Sequence, residues 1–221
     1  MPLPLIQGIL GYSPFVFFSA IFLAALVFFF ERKGRVQAFR ARMRVLLFSA
    51  IGFRLLYAAA ATVAQYLLWA RDPATRAFVE SGIGRDTPIA PGLAKFPFLF
   101  GKGGYFLFYS YGRFWLSALV AIFCVLAFWW FLKLLRKWKE RFFEEGEITL
   151  GALMVALVGW PGFVVFLPFV LVSIILVSLF RLAVLKQELT TMGAPFLLAA
   201  FIVLLYGQKL VALLGLSVLK I

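Results

Sequence analysis

Histidine is absent from the 221 residues, and there is a single cysteine. Without imidazole the commonest general base and metal ligand is missing, so any catalysis must draw on carboxylates, Lys, Tyr, Ser or Thr. The lone Cys124 excludes an internal disulfide and supplies no zinc ligand set; it reads as a small apolar residue, and no metal or other cofactor is expected. Acids are scarce: nine Asp and Glu stand against 22 Lys and Arg, a formal charge of +13. Such a charge can mark a nucleic-acid partner, but the basic residues lie at the ends of apolar runs rather than on a soluble basic face. Membrane topology accounts for them, and no nucleic acid is expected.

Charge of either sign is thin, at 14% of residues, while 64% are hydrophobic; soluble domains have about 25% and about 45–50%. The excess must face lipid. Apolar stretches at 14–30, 45–70 and 113–132, then 147–159, 163–185 and 195–218, read as helices, because membrane strands need alternating polarity and these segments are apolar all round. The fold expected is all-α: one polytopic transmembrane helix bundle with five or six spans. The count turns on 151–180, which as one helix would be about 45 Å long against a hydrocarbon core of about 30 Å. Trp160-Pro161-Gly162 is where a break would relieve the excess. A full break gives six spans and an external C-terminus; a kink gives five and an internal one.

No Lys or Arg precedes the first stretch, and Arg32, Lys33, Arg35, Arg40, Arg42 and Arg44 follow it. It is therefore expected to be an uncleaved span with the N-terminus outside a plasma (inner) membrane and the basic loop in the cytoplasm, where Arg32–Arg44 could hold anionic lipid headgroups. Residues 71–112 form an external loop, with Pro73, Pro88, Pro91 and Pro97 against a continuous helix and many aromatics suited to the interface. The third span returns the chain to Lys133, Arg136, Lys137, Lys139 and Arg141.

Two of the few acids head cytoplasmic junctions: Glu31 just after the first span and Glu147 just before the short fourth. If those helices pack together, the carboxylates meet at the membrane rim. Two close carboxyl groups can divide one proton, so that one activates water while the other protonates a leaving group. The plain alternative is that each is a juxtamembrane acid neutralised by Arg32, Lys33 or Arg141.

The stretch Gly146-Glu147-Ile148-Thr149-Leu150-Gly151, then Gly159-Trp160-Pro161-Gly162, and later Met192-Gly193-Ala194-Pro195-Phe196-Leu197 resembles the membrane-embedded type IV prepilin peptidases. That family carries a Gly-Asp-x-Lys-Leu motif opening a helix, a Gly-Trp about a dozen residues on, and a Pro-Phe-Gly-Pro-Phe-Leu stretch before its last span. The likeness covers about residues 145–207; before that it rests on the layout of spans and loops. It implies that Glu147 and Glu31 occupy the positions of the catalytic aspartates, and that the chain cleaves, or once cleaved, the leader of a pilin-like precursor at the cytoplasmic membrane face. Both positions hold Glu rather than Asp, and Thr149 replaces the motif lysine. An added methylene moves a carboxylate by about 1.5 Å, and about 1 Å of misplacement can cost on the order of a hundredfold in rate. A non-catalytic scaffold of a pilus or secretion machine is the alternative.

Arg54 and Lys209 lie within spans, where a charge faces a cavity, finds a partner or snorkels. The segment Gly52-Phe53-Arg54-Leu55-Leu56-Tyr57, with Gly103-Gly104, is faintly similar to prolipoprotein diacylglyceryl transferases, which would make the chain a lipid-modifying transferase. That family's histidine motif is lacking here. Gly101-Lys102-Gly103-Gly104 lacks the spacing of a phosphate loop.

Overall fold

The computed structural model describes residues 3–32, 36–84, 95–138, 143–144, 146–186 and 191–219, without the side chains of 3–10 and 185. Lys33, Arg35, Pro88, Pro91, Lys139 and Arg141 lie outside the described residues. Among those described every regular element is helical: α1 (Leu3–Phe30), α2 (Val36–Arg71), α3 (Pro73–Glu80), α4 (Gly104–Ser110), α5 (Leu116–Trp138), α6 (Glu147–Val158), α7 (Gly162–Phe180) and α8 (Gly193–Leu213). A π turn at Tyr111–Trp115 makes α4 and α5 consecutive parts of one helical segment of 35 residues. Five helical segments are long and apolar enough to cross a membrane, and α6, at 12 residues, is a shorter apolar one. The chain is an all-α, polytopic membrane bundle.

Helices run beyond the apolar stretches that mark the spans. Arg40, Arg42 and Arg44 fall in the first turns of α2 rather than in a loop, since Ala, Gln, Arg and Met are good helix formers and the long cationic side chains reach polar surroundings from a helix. The segment 71–112 is partly helical. Pro73 sits at the first turn of α3, where its missing N–H costs nothing, and the Asp72 side chain accepts a bond from the Ala74 N–H at 3.0 Å.

The chain divides into two compact units. The first comprises Met1–Arg54 and Leu119–Lys220 and is built around α6. From Leu150 to Leu157 every residue of α6 is buried, as expected of a helix apolar on all sides. Phe166 of α7, Phe196 of α8 and Phe128 of α5 belong to the same core, the Phe128 and Phe196 rings meeting edge to face at 5.9 Å. In the second unit, Leu55–Ala118, Trp69 is surrounded by Tyr109, Phe106 and Phe78 at ring separations of 4.7–5.8 Å. A backbone bond from Ile83 to Leu99 closes the intervening loop.

Between α6 and α7 the helix stops at Gly159, whose φ of +64° is left-handed backbone that suits glycine. The peptide Trp160-Pro161 is cis, and the Trp160 indole donates to the Leu219 carbonyl at 2.8 Å. Ending a helix inside a bundle leaves carbonyls without partners. Arg54, from α2, supplies them: its Nε donates to the Ala156 carbonyl at 2.8 Å and its Nη2 to that of Leu157 at 3.1 Å. The Phe18 ring lies 4.6 Å beneath the guanidinium. A Cβ on Gly159 would collide with that guanidinium, so the glycine and the arginine form one device. Lys209, by contrast, is exposed on α8.

Arg54→Met keeps the length and removes the donors. At about 1.5–3 kcal/mol for a hydrogen bond to a charged group, the variant is expected to lose several degrees of thermal midpoint in detergent, read by size-exclusion fluorescence after heating. Lys137→Met, at the exposed end of α5, is expected to leave the midpoint unchanged. Equal behaviour of the two would mean that Arg54 does not hold the end of α6.

Candidate functional site

The N-terminal end of α6 meets the C-terminal end of α1 and the N-terminal end of α8. Glu147 is the first residue of α6 and is 0% exposed. Three features make a buried carboxylate tolerable there. Its Oε1 accepts a charge-assisted bond from Arg32 Nη1 at 2.9 Å. Its Oε2 accepts the backbone N–H of Glu144 at 3.2 Å. The amide end of α6 also favours negative charge.

Arg32 follows α1 directly and is itself only 18% exposed. Its Nη2 pairs with Glu144 at 3.0 Å, on a carboxylate 52% exposed, and its guanidinium lies 4.1 Å over the Phe29 ring. One arginine thus bridges two carboxylates. Arg32 is a neutralising partner of Glu147; Lys33 and Arg141, the other two considered, lie outside the described residues.

Across from them, Gly193 opens α8. A Cβ there would lie 2.6 Å from Glu147 Oε1 and would also collide with the Phe29 ring. Only glycine lets α8 approach this closely, which brings Gly193 against Glu147. Thr149 is partly buried in the first turn of α6.

The two acids singled out in the sequence go to different partners. Glu31 is 56% exposed and binds Arg42 Nη1 at 3.3 Å, whereas Glu147 is sealed by Arg32. Both residues lie in the turn that follows the end of α1 at Phe30, and from that turn Arg32 reaches Glu147 of α6 while Glu31 reaches Arg42 of α2. The sequence reading named Arg32 among three possible neutralising partners of Glu147 and missed Glu144, which was legible from its place three residues before Glu147, within reach of the start of the helix. Arg54 contacts neither acid and serves the opposite end of α6.

No three His, Cys, Asp or Glu residues are grouped to hold a metal ion among the described residues. Compared with known proteins, the chain matches no family model, no curated protein and no solved structure.

Chemically, the arrangement is an ion-pair clamp. Arg32 stands where a dyad would place a shared proton, so Glu144 and Glu147 have a cation in common. Removing one partner of a buried pair costs about 3–5 kcal/mol because the other charge is left stranded. Arg32→Gln is accordingly expected to lower stability sharply, and Arg32→Gln combined with Glu147→Gln to recover much of the loss. Unfolding of the four members of this double-mutant cycle measures it; additive losses would mean that the two side chains do not support one another. Gly193→Ala is expected to weaken the protein as well, by separating α8 from Glu147.

Proposed function

We propose that this chain is an integral membrane scaffold with the helical layout of a prepilin peptidase and without its activity. The observation that carries the reading is the complete burial of Glu147 against Arg32, with Glu31 turned to Arg42. Water activation needs a carboxylate that water and substrate can reach, and a partner within a few ångströms that can take up or give a proton. Glu147 is 0% exposed, and among the described residues the group that stands between it and the Glu144 carboxylate is a guanidinium, which does not give up its proton. The resemblance in the C-terminal half supplies the partners: subunits of a pilus or secretion machine held within the membrane.

The distribution of charge supports an inner (plasma) membrane location with the N-terminus outside and the Arg32 end in the cytoplasm. At that end Arg32 and Arg42 are committed to acids, while Arg40 and Arg44 are exposed. Among the described residues of Arg32–Arg44, those two are suited to anionic lipid headgroups.

One observation favours a peptidase instead. The two segments most like the family, at Glu147 and at Gly193, lie in contact. Under that reading Glu147 is the working carboxylate, Arg32 must withdraw before the reaction, and the substrate is the leader of a pilin-like precursor.

The experiment is mass spectrometry of a pilin precursor from the same organism, incubated with the purified protein in lipid. The scaffold reading expects no leader removal by the wild type while an authentic prepilin peptidase cleaves the same precursor. Leader removal by the wild type that disappears in a folded Glu147→Gln variant would overturn it and establish the peptidase.

A further inference from the structure

A groove of about 630 Å³ runs between α1 and α8, walled by Phe15, Phe22 and Phe30 on one side and Leu197 and Phe201 on the other. Its lining is apolar but for Ser19 and one charged residue, Arg181, which contributes from the end of α7. Because α8 follows α7 after a short connection, Arg181 lies level with the start of α8 and the end of α1. It therefore stands at the Phe30 end of the groove, on the side of the bundle that carries Arg32, Arg40 and Arg44.

From Phe15 to Phe30 the groove follows α1 for about 22 Å, a length that an extended acyl chain spans, and its apolar walls suit such a chain. Several walls of the groove, including Phe15, Leu23, Phe30 and Phe201, are exposed, so the groove opens toward surrounding lipid along its length.

We infer that the α1–α8 groove is a binding site for one anionic phospholipid, with an acyl chain along Phe22 and Phe201 and the phosphate at Arg181. Charge complementarity selects the headgroup. A guanidinium presents five N–H donors in a fork that matches phosphate oxygens, and so can hold a headgroup beside any contact it makes within the protein. Basic residues at the same end raise the local attraction for negative lipid. The site requires no catalysis and stands whether the bundle is a scaffold or a peptidase.

The test reconstitutes the full chain in nanodiscs of equal parts dioleoylphosphatidylglycerol and dioleoylphosphatidylcholine, releases it gently, and counts the lipids retained by native mass spectrometry. Wild type is expected to retain the phosphatidylglycerol with a preference that falls about fivefold in Arg181→Gln, while Lys137→Gln, a basic residue outside the groove's lining, leaves it unchanged. Leu198→Trp, which fills the groove without touching the charge, is expected to abolish retention of either lipid. Thermal midpoints and size-exclusion profiles like those of the wild type establish that both variants are folded. No preference in the wild type, equal losses in Arg181→Gln and Lys137→Gln, or full retention in a folded Leu198→Trp would each overturn the site and leave only non-selective lipid around the helices. Should either groove variant fail to fold, brominated phosphatidylglycerol soaked into the wild type decides the matter: bromine density in the groove supports the site, and density confined to other faces overturns it.

Discussion

A carboxylate buried among apolar helices needs a cation, and much of the first unit follows from how Glu147 finds one. Arg32 can reach it only if the end of α1 lies beside the start of α6. The Gly193 end of α8 comes close enough to seal the pair from the other side. At the far end of the same short helix, Arg54 does for two bare carbonyls what Arg32 does for the acid. Two arginines from different helices thus hold the two ends of α6, and apolar packing fills the length between them. The division of labour is physical: hydrophobic contact is non-directional and would let α6 slide along its axis, whereas hydrogen bonds at both ends fix its position.

The helical bundle was legible in the sequence because composition alone forces it. Long apolar runs in a chain with little charge have few ways to satisfy their backbone, and helices are the one compatible with runs that do not alternate. The lengths of the helices were less legible, since polar turns of α2 such as Arg40 to Arg44 continue a helix that hydropathy marks only from about residue 45. Glu147 was legible as a special residue: an acid opening an apolar helix after Gly146 has few ordinary explanations. Its partner was narrowed only to Arg32, Lys33 or Arg141, because how the end of α1 meets α6 depends on Phe29, Phe22 and Phe18 packing inward, which the sequence does not display. Arg54 was recognisable as costly but not as a cap, because its acceptors lie 102 and 103 residues away.

The choice between scaffold and peptidase rests on what a buried ion pair is for. Such pairs add little net stability, since desolvation offsets most of the attraction, but they penalise every arrangement that separates them. A structural role for Arg32 and Glu147 asks for that specificity and for permanence. Chemistry would ask for the opposite, a carboxylate released to water at each turnover. Glu144 is exposed, so the clamp has one sealed and one open arm. The sealed arm keeps the helices in register, and the open arm faces the aqueous side.

The shortness of α6 has a consequence for how the protein is made. Its 12 residues extend about 18 Å, too little to cross a core of about 30 Å, and it opens with an acid for which the bilayer is a poor solvent. Emerging from the ribosome by itself, such a segment has no reason to leave the insertion machinery for lipid. Arg32 and Arg54, the two residues that make the segment tolerable, are synthesised about a hundred residues earlier. Helices α1 and α2 are therefore already in the membrane as a waiting socket, and integration of α6 is a docking onto earlier helices rather than a partitioning into lipid.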